Sequence, residues 1–192
     1  LVTKGTGSVV NGYESISGQI NLEFLKPKEQ KKRLFINLYG GHKGRSEANL
    51  HYAPAINPKW GTLLFLHASD VGLKNDMNKD SFLDMPLTRQ YNIFNRWDYH
   101  NQKNFEAQFG VKALYETRQG GQTKFNYKND FGTTNAYGIG INTKALEYFS
   151  KTGFMFPSTP YKSIGIQTSG KWQQQDMYFG LRKYNGEQKN FY

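Results

Sequence analysis

Apolar and polar side chains alternate along most of the chain that follows residue 33. Leu34, Ile36 and Leu38 share one face of an extended segment, whereas Tyr39 points to the other face. A period of two is typical of a β-strand that has one apolar and one polar side. The clearest example is residues 105–113, where Phe, Ala and Val alternate with Glu, Gln, Gly and Lys. The pattern therefore predicts an all-β fold of antiparallel strands.

Eight strands are visible in this pattern, and a ninth begins after Tyr184. They are centred on residues 34–38, 48–52, 60–69, 90–99, 105–113, 135–156, 164–166 and 177–181. In the sixth strand the apolar set moves from odd positions before Lys144 to even positions after it. Because one inserted residue moves all later side chains to the opposite face, this change predicts a β-bulge near residues 142–145.

The connections between the strands differ in length. Those around residues 71–86 and 116–134 are long, whereas those near Asn57-Pro58, at HNQKN, at FPSTPY and at Asn185-Gly186 are short. The Asn-Gly pair predicts a tight turn between two strands. Barrels of the outer membrane have short periplasmic turns and longer external loops, so this alternation favours a transmembrane barrel.

The two faces of the predicted strands suit different solvents. Glu106 and Lys112 lie on a face that a dry protein core would not accept without paired charges, so we expect this face to line a watery lumen. The residues expected to face lipid are Leu64, Leu66, Ile93, Phe109 and Val111, and those expected to face the lumen are Glu47, Asn49, Glu106 and Lys112.

Composition supports strands over helices as membrane-crossing elements. No segment approaches the roughly 20 consecutive apolar residues of a membrane helix. Aromatic residues make up 16% of the chain, with 13 Tyr and 14 Phe, and Tyr and Trp favour membrane interfaces, where one end of the ring is wet. The formal charge of +10 is scattered along the chain, which argues against a nucleic-acid-binding module and leaves lipopolysaccharide phosphates as an acidic partner.

Catalytic motifs are not found in the sequence. The four His residues are scattered, and none stands in a nucleophile elbow or a metal-spaced pair. The chain also contains no Cys, which fits a bacterial envelope protein but is common elsewhere too. We therefore expect no enzymatic activity.

The first segment of the chain carries a family resemblance. It reads GTGSVVNGYESISGQINLEF from Gly5 to Phe24 and resembles the closing part of the plug domain in TonB-dependent outer-membrane receptors, especially those of Bacteroidetes-like bacteria. The blocks FLDMPLTRQYNIFNRWDY and YKSIGIQ are similar to the early barrel of the same receptors. The resemblance implies a plug end at residues 1–27, and the N-terminal strands of a transmembrane barrel at residues 28–192.

Such barrels have 22 strands and a plugged lumen, so we expect this chain to be a fragment whose sheet is open. The family implies energy-coupled uptake of a scarce nutrient: a siderophore, cobalamin, metal chelate, peptide or glycan. The implied partners are TonB with its inner-membrane motor, outer-membrane lipid and a surface lipoprotein. Two alternatives remain: a complete eight-stranded outer-membrane barrel, and a soluble lipocalin-like barrel that binds one ligand.

Two sets of residues are expected to bind ligands. Polar and aromatic side chains that face the lumen near the external side are expected to contact the substrate: Tyr39, His67, Gln90 and Arg96. In the second external loop, Asp76, Asn78, Asp80, the carbonyl of Phe82 and Asp84 have the spacing of a calcium-binding loop. Ser81 replaces the usual glycine, and Leu87 replaces the usual bidentate Glu, so a complete helix-loop-helix calcium hand is excluded.

Overall fold

The computed structural model describes residues 2–5, 18–20, 24–30, 32–159 and 161–192. Its main element is an antiparallel sheet of eight strands, each paired with the next along the chain. These strands are β3 (Leu34–Gly40), β4 (Arg45–Tyr52), β5 (Trp60–Val71), β6 (Leu87–His100), β7 (Phe105–Gly121), β8 (Gly138–Met155), β9 (Ser163–Phe179) and β10 (Arg182–Phe191). The all-β prediction is confirmed.

Two smaller elements precede the large sheet. Strands β1 (Val2–Lys4) and β2 (Gly18–Ile20) form a separate antiparallel pair. A 3₁₀ turn, Pro27–Glu29, follows them. In the ranges given above, no helix is long and apolar enough to cross a membrane. Most of the expected plug end, including residues 6–17 and 21–23, lies outside the described residues.

The strand register separates the side chains into two faces. One row across the sheet joins Ile36, Leu50, Leu66, Ile93, Ala113 and Leu146, and we call this side the apolar face. The neighbouring row on the opposite side joins Asn37, Asn49, His67, Asn92, Leu114, Ala145 and Gln173, and we call that side the polar face. The five residues expected from the sequence to face lipid all lie on the apolar face. The four expected to face the lumen all lie on the polar face.

The aliphatic residues of the apolar face form a slanted band. In β3 they are Leu34, Ile36 and Leu38, and the row that starts at Leu34 reaches β9 at Gly170. In β9, however, the aliphatic residues of this face are Ile164 and Ile166, which lie earlier in the strand. The band therefore crosses the strands at an angle instead of following one row.

The two ends of the sheet differ in their connections. Loops 72–86 and 122–137 lie at the same end, and we call it the long-loop end. A β-bridge joins these loops at Phe82 and Gln122. The opposite end carries the connections 53–59, 101–104 and 156–162, and we call it the short-turn end. The two predicted long loops are thus present, between β5 and β6 and between β7 and β8, and the connections at the opposite end are shorter.

The last two strands differ from the sequence prediction. Segment 164–166 and residues 177–179, expected to lie in separate strands, belong to the continuous strand β9, and residues 180–181 form the turn after it. The turn that follows uses Gly180, whose φ of 59° is accessible to glycine at little cost. Asn185 and Gly186 lie within β10 and pair with Asp176 and Gln175, so the turn predicted there is wrong.

The predicted bulge at residues 142–145 is also wrong. β8 keeps one register with β7 from Gly138 to Phe154 without an extra residue. Ile141 therefore lies on the polar face, and Leu146 lies on the apolar face of the same regular strand. The apolar residues of β8 move from odd to even positions along the strand. They do so because the part of β8 nearest the long-loop end extends beyond the aliphatic band, where the two faces have different surroundings.

The sheet is open. Its edges are β3 and β10, and these two strands do not pair with each other. This agrees with the expectation of an open sheet and contradicts a closed barrel of eight strands, whether in a membrane or in water. Each edge presents backbone N–H and C=O groups that need partners.

The position of the last turn can be tested with two glycine variants. Gly180→Ala is expected to lower the free energy of unfolding by about 1–2 kcal/mol, because a side chain disfavours the left-handed backbone at this turn. Gly186→Ala is the control, since a methyl group there would meet no atom within 4 Å. Denaturant titration measures both values. Equal losses in the two variants would contradict this placement of the turn.

Candidate functional site

The four residues predicted to bind substrate all lie on the polar face, but they do not form one cluster. Tyr39 and Gln90 lie in the same row, separated by β4 and β5. His67 lies near them, and its Nδ1 is 2.7 Å from Oδ1 of Asn49. Tyr39, His67 and Gln90 thus occupy the part of the polar face nearest the long-loop end, where a ligand entering from that end would meet them.

Arg96 lies elsewhere and has a different set of contacts. It pairs with Leu63 of β5, toward the short-turn end, and so lies apart from the other three residues. Its side chain is buried, its Nε donates to Oδ1 of Asp98 at 3.0 Å, and its Nη1 donates to the carbonyl of Phe24 at 3.3 Å. Arg96 therefore connects the sheet to the chain segment that precedes it.

Residues 24–30 dock onto this part of the polar face. The Phe24 ring lies 4.9 Å from the Phe94 ring and 6.1 Å from the Phe65 ring. Pro27 is buried against Gly61, where a methyl group would come within 3.0 Å of its ring. Lys28 donates to the carbonyl of Pro58 at 2.7 Å. Tilted aromatic contacts, the packing of Pro27 and hydrogen bonds together fix where the segment enters the polar face.

A ladder of charges crosses the polar face beside this docking site. Lys112, Glu147 and Lys171 lie in one row, and both ammonium groups are 3.4 Å from the Glu147 carboxylate. All three side chains are about one-third exposed or slightly more. Charges with this exposure keep contact with water, as expected for a hydrated surface and not for a dry core.

The predicted calcium loop is held by its own carboxylates. Oδ1 and Oδ2 of Asp76 accept from the backbone N–H groups of Asp80 and Ser81, at 3.1 and 3.0 Å. Ser81 has a φ of 70°, the conformation that glycine would supply there. Within the described residues, no three His, Cys, Asp or Glu side chains are grouped so that they could hold a metal. The calcium site stays a prediction.

A cavity of about 750 Å³ lies at the long-loop end, on the side of the apolar face. Its floor is formed by β7, β8, β9 and β10, and loop 122–137 forms one wall. Tyr178 is the central side chain: it is only 6% exposed, and its ring lies 5.0–6.1 Å from the rings of Phe125, Tyr127 and Phe131. The cavity is therefore built around one buried aromatic residue.

Two glycines in β8 make room for these rings. A methyl group at Gly140 would come within 2.1 Å of the Tyr178 ring, and one at Gly138 would come within 2.4 Å of the Phe125 ring. The wall loop is stabilised by Asp130, whose carboxylate accepts from the backbone N–H of Asn126 at 2.8 Å. The sheet and the loop thus hold the aromatic wall in place before any ligand arrives.

The hydroxyl of Tyr178 has no hydrogen-bond partner among the described residues, and neither has Oδ1 of Asn142 in the same cavity. Tyr178 lies beyond the aliphatic band, close to the end of β9. Burial, with a smaller contribution from Tyr127, raises the pKa of Tyr178 to about 12. The hydroxyl is therefore protonated at neutral pH and is able to donate.

No motif in the sequence marks this cavity. Its residues come from four strands and one loop, and their proximity follows from the register between β8 and β9. The only local signal is the pair Gly138 and Gly140, whose lack of side chains on the apolar face indicates a close approach of other groups.

Comparisons with known proteins give no identification. No protein-family profile matches the chain, and neither a curated protein nor a solved structure is significantly similar to it.

The role of Arg96 can be tested against a second arginine in the same strand. Arg96→Met is expected to lower the free energy of unfolding by about 3 kcal/mol, because it leaves the half-buried carboxylate of Asp98 without its partner. It should also speed trypsin cleavage after Lys28 in the docked segment. Urea titration and timed proteolysis measure the two effects.

Arg89→Met provides the control. Arg89 lies on the opposite face of β6 and pairs with Asp70 at 2.9 Å, but its side chain is 60% exposed, compared with 8% for Arg96. Exposed pairs contribute at most about 1 kcal/mol. If cleavage after Lys28 is equally fast in both variants, Arg96 does not fix the segment.

Proposed function

We propose that this chain forms part of the transmembrane barrel of an outer-membrane transporter of the TonB-dependent type, which takes up a scarce nutrient and does not act as an enzyme. The observation that carries the proposal is the opposed character of the two faces of one sheet. Lipid would cover the apolar face, and the polar face would line a watery lumen. In this interpretation, residues 24–30 join the plug to the barrel wall.

The exposure of the apolar face supports contact with lipid. Leu38 is 74% exposed, Ile36 is 56% exposed, and Val111 and Leu146 are each 50% exposed. Monomeric proteins in water rarely expose contiguous apolar surfaces larger than a few hundred Å². A bilayer would remove this surface from water without requiring a second protein layer.

Aromatic residues flank the aliphatic band, as in outer-membrane barrels. Trp60 and Tyr99 lie on the apolar face near the short-turn end, with ring centroids 4.8 Å apart. Tyr91 and Tyr115 pair on the same face nearer the long-loop end. From Tyr99 to Tyr91 the strand rises about 27 Å at ~3.4 Å per residue. At a tilt of about 35–45° this length spans roughly 19–22 Å, most of an apolar band about 25 Å tall.

The open edges of the sheet support a larger barrel. In lipid, unpaired backbone groups at β3 and β10 would each cost several kcal/mol. Further strands that pair with both edges would remove this cost. A barrel of 22 strands leaves a lumen wide enough for a plug, and the docked segment lies on the face that would line it.

Transport by this type of protein implies several partners. TonB and its inner-membrane motor would supply energy, lipopolysaccharide and phospholipid would surround the apolar face, and a surface lipoprotein would deliver the nutrient. Tyr39, His67 and Gln90 would be the residues of this chain that contact the nutrient. A siderophore, cobalamin, metal chelate, peptide or glycan would each be compatible with their amide, imidazole and phenol groups.

The membrane location can be tested with two adjacent positions in β6. Ile93 lies on the apolar face, and Asn92 lies on the polar face. In phospholipid vesicles, Ile93→Arg is expected to lower the free energy of unfolding by about 2–4 kcal/mol, as for Arg near the bilayer midplane. Asn92→Arg should change it much less, because its side chain would point into water.

The measurement is urea unfolding of the full-length protein in vesicles, followed by tryptophan fluorescence. A soluble protein would tolerate arginine at the half-exposed Ile93 as well as at Asn92. Equal stability of the two variants in vesicles would therefore contradict a lipid-facing apolar side.

Uptake is the second measurable consequence. Deleting the gene that encodes the protein is expected to impair growth when one nutrient class is limiting, and a protonophore should stop uptake while binding persists. In the restored strain, His67→Ala with Gln90→Ala should weaken nutrient affinity by up to about tenfold, the loss expected for one or two hydrogen bonds. Uptake that continues unchanged with the protonophore would exclude energy coupling.

A further inference from the structure

The cavity around Tyr178 is separate from the polar face on which the proposed transport depends. It opens on the side of the apolar face, and its lower margin is Tyr115, which shares a row with Tyr91 at the edge of the aliphatic band. Its size, about 750 Å³, is within the range of ligand pockets in proteins. A molecule in this cavity would lie directly above the band.

The two unpartnered atoms indicate what kind of group would fit. The Tyr178 hydroxyl is a donor, whereas Oδ1 of Asn142 is an acceptor only. Asp176 adds further acceptors in the same cavity. The two oxygens of its carboxylate accept only long hydrogen bonds, of 3.4 and 3.3 Å, from Nε2 of Gln174. Alcohol groups both donate and accept, so a ligand with several hydroxyls would satisfy both kinds of atom. An anion with acceptor atoms alone would not.

The aromatic wall adds a second requirement. Tyr127 and Phe131 present their rings to the cavity beside Tyr178. The C–H face of a sugar ring packs well on aromatic rings, and its hydroxyls point away from that face toward polar groups. Aromatic faces next to amide and carboxylate oxygens therefore suit a saccharide.

Two lysines give the cavity a positive margin. The Lys183 ammonium lies 4.4 Å from the centre of the Phe131 ring, and Lys128 extends from the wall loop. Across the described ranges, neither ammonium forms an ion pair. Asp176 is the one acidic residue among those that line the cavity, so both cations are available for a negatively charged substituent.

We propose that this cavity is a binding site for an anionic saccharide. The sugar would stack on the Tyr127 and Phe131 rings, its hydroxyls would bind the Tyr178 hydroxyl and Oδ1 of Asn142, and its phosphate or carboxylate would bind Lys128 and Lys183. The saccharide has two sources: the headgroup of a glycolipid in the membrane, or a free molecule in solution. Only the glycolipid source rests on the proposed membrane location.

The probe is a bisphosphorylated glucosamine disaccharide, the deacylated headgroup of lipid A. Calorimetric titration of the full-length protein in detergent should show binding of this disaccharide, with affinity at least about tenfold lower for its dephosphorylated form, since one lost charged contact is worth about this much. Inorganic phosphate is titrated in parallel. If phosphate binds as tightly as the disaccharide, the cavity holds an adventitious ion only, and the proposal is overturned.

Variants separate the two kinds of contact. Tyr178→Phe is expected to weaken disaccharide binding roughly tenfold while leaving the unliganded protein as stable as before or more stable, because the hydroxyl has no partner to lose. Tyr148→Phe is the control. Tyr148 is in β8 and lies on the apolar face, as Tyr178 does, but within the aliphatic band. Unchanged binding by Tyr178→Phe would overturn the assigned contact and with it the proposal.

The lysines are tested in the same way. Lys128→Gln with Lys183→Gln should reduce affinity for the phosphorylated disaccharide to that of its dephosphorylated form. Lys189→Gln is the control, because Lys189 lies on the same face of β10 but pairs with Glu187. Equal affinity losses in the double variant and the control would indicate nonspecific charge attraction and would overturn the site.

Vesicles distinguish the sources. Phosphatidylethanolamine vesicles with and without lipid A are compared for stabilisation of the protein and of Tyr178→Phe. Stabilisation by lipid A that Tyr178→Phe loses supports the membrane headgroup, and binding of the soluble disaccharide alone supports a free saccharide.

If Ile93→Arg and Asn92→Arg are equally stable in vesicles but the disaccharide still binds, the membrane proposal fails and the saccharide site stands. Binding of neither probe overturns the site.

Discussion

The constraint on which the structure depends is that a single antiparallel sheet has two faces. In the described part of the chain, no second layer of strands packs against either face of the large sheet. Backbone hydrogen bonds hold the eight strands together, but they do not decide what covers the side chains. Only a few described residues are buried, and several of these, such as Leu63, Phe94 and Arg96, lie where residues 24–30 cover the polar face. Elsewhere, each face must be stabilised by its surroundings.

This constraint explains why the sequence predicted the faces well. A strand with period-two alternation reports its own two environments, so Ile93 and Asn92, or Glu106 and Phe109, could be assigned without any knowledge of their neighbours. Turns were harder to predict. Asn185-Gly186 has the composition of a tight turn, but the ladder between β9 and β10 continues through it, and Gly180 provides the left-handed residue instead.

The candidate sites show a similar division. His67 and Gln90 could be placed from alternation alone, because their side of the sheet follows from the strand pattern. The contacts of Arg96 with Phe24, and the position of Tyr178 above Gly140, depend on which residues meet across strands and loops. These pairs are distant in sequence, and no single segment encodes them. The bulge predicted near residue 144 was wrong for a related reason: one strand crosses two environments along its length.

The slant of the aliphatic band has a geometric consequence. The row that starts at Ile36 meets β9 at Trp172, whereas the aliphatic residues of β9 are Ile164 and Ile166, so the band shifts by roughly one residue per strand. With a rise of ~3.3 Å per residue and ~4.8 Å between strands, this shift corresponds to an angle of about 35°. In the proposed barrel, a membrane plane would cut each strand obliquely at a different residue. Inserting two residues into one strand inside the band would therefore put its aliphatic positions out of line with those of the neighbouring strands. The same insertion near the long loops would leave the aliphatic band intact.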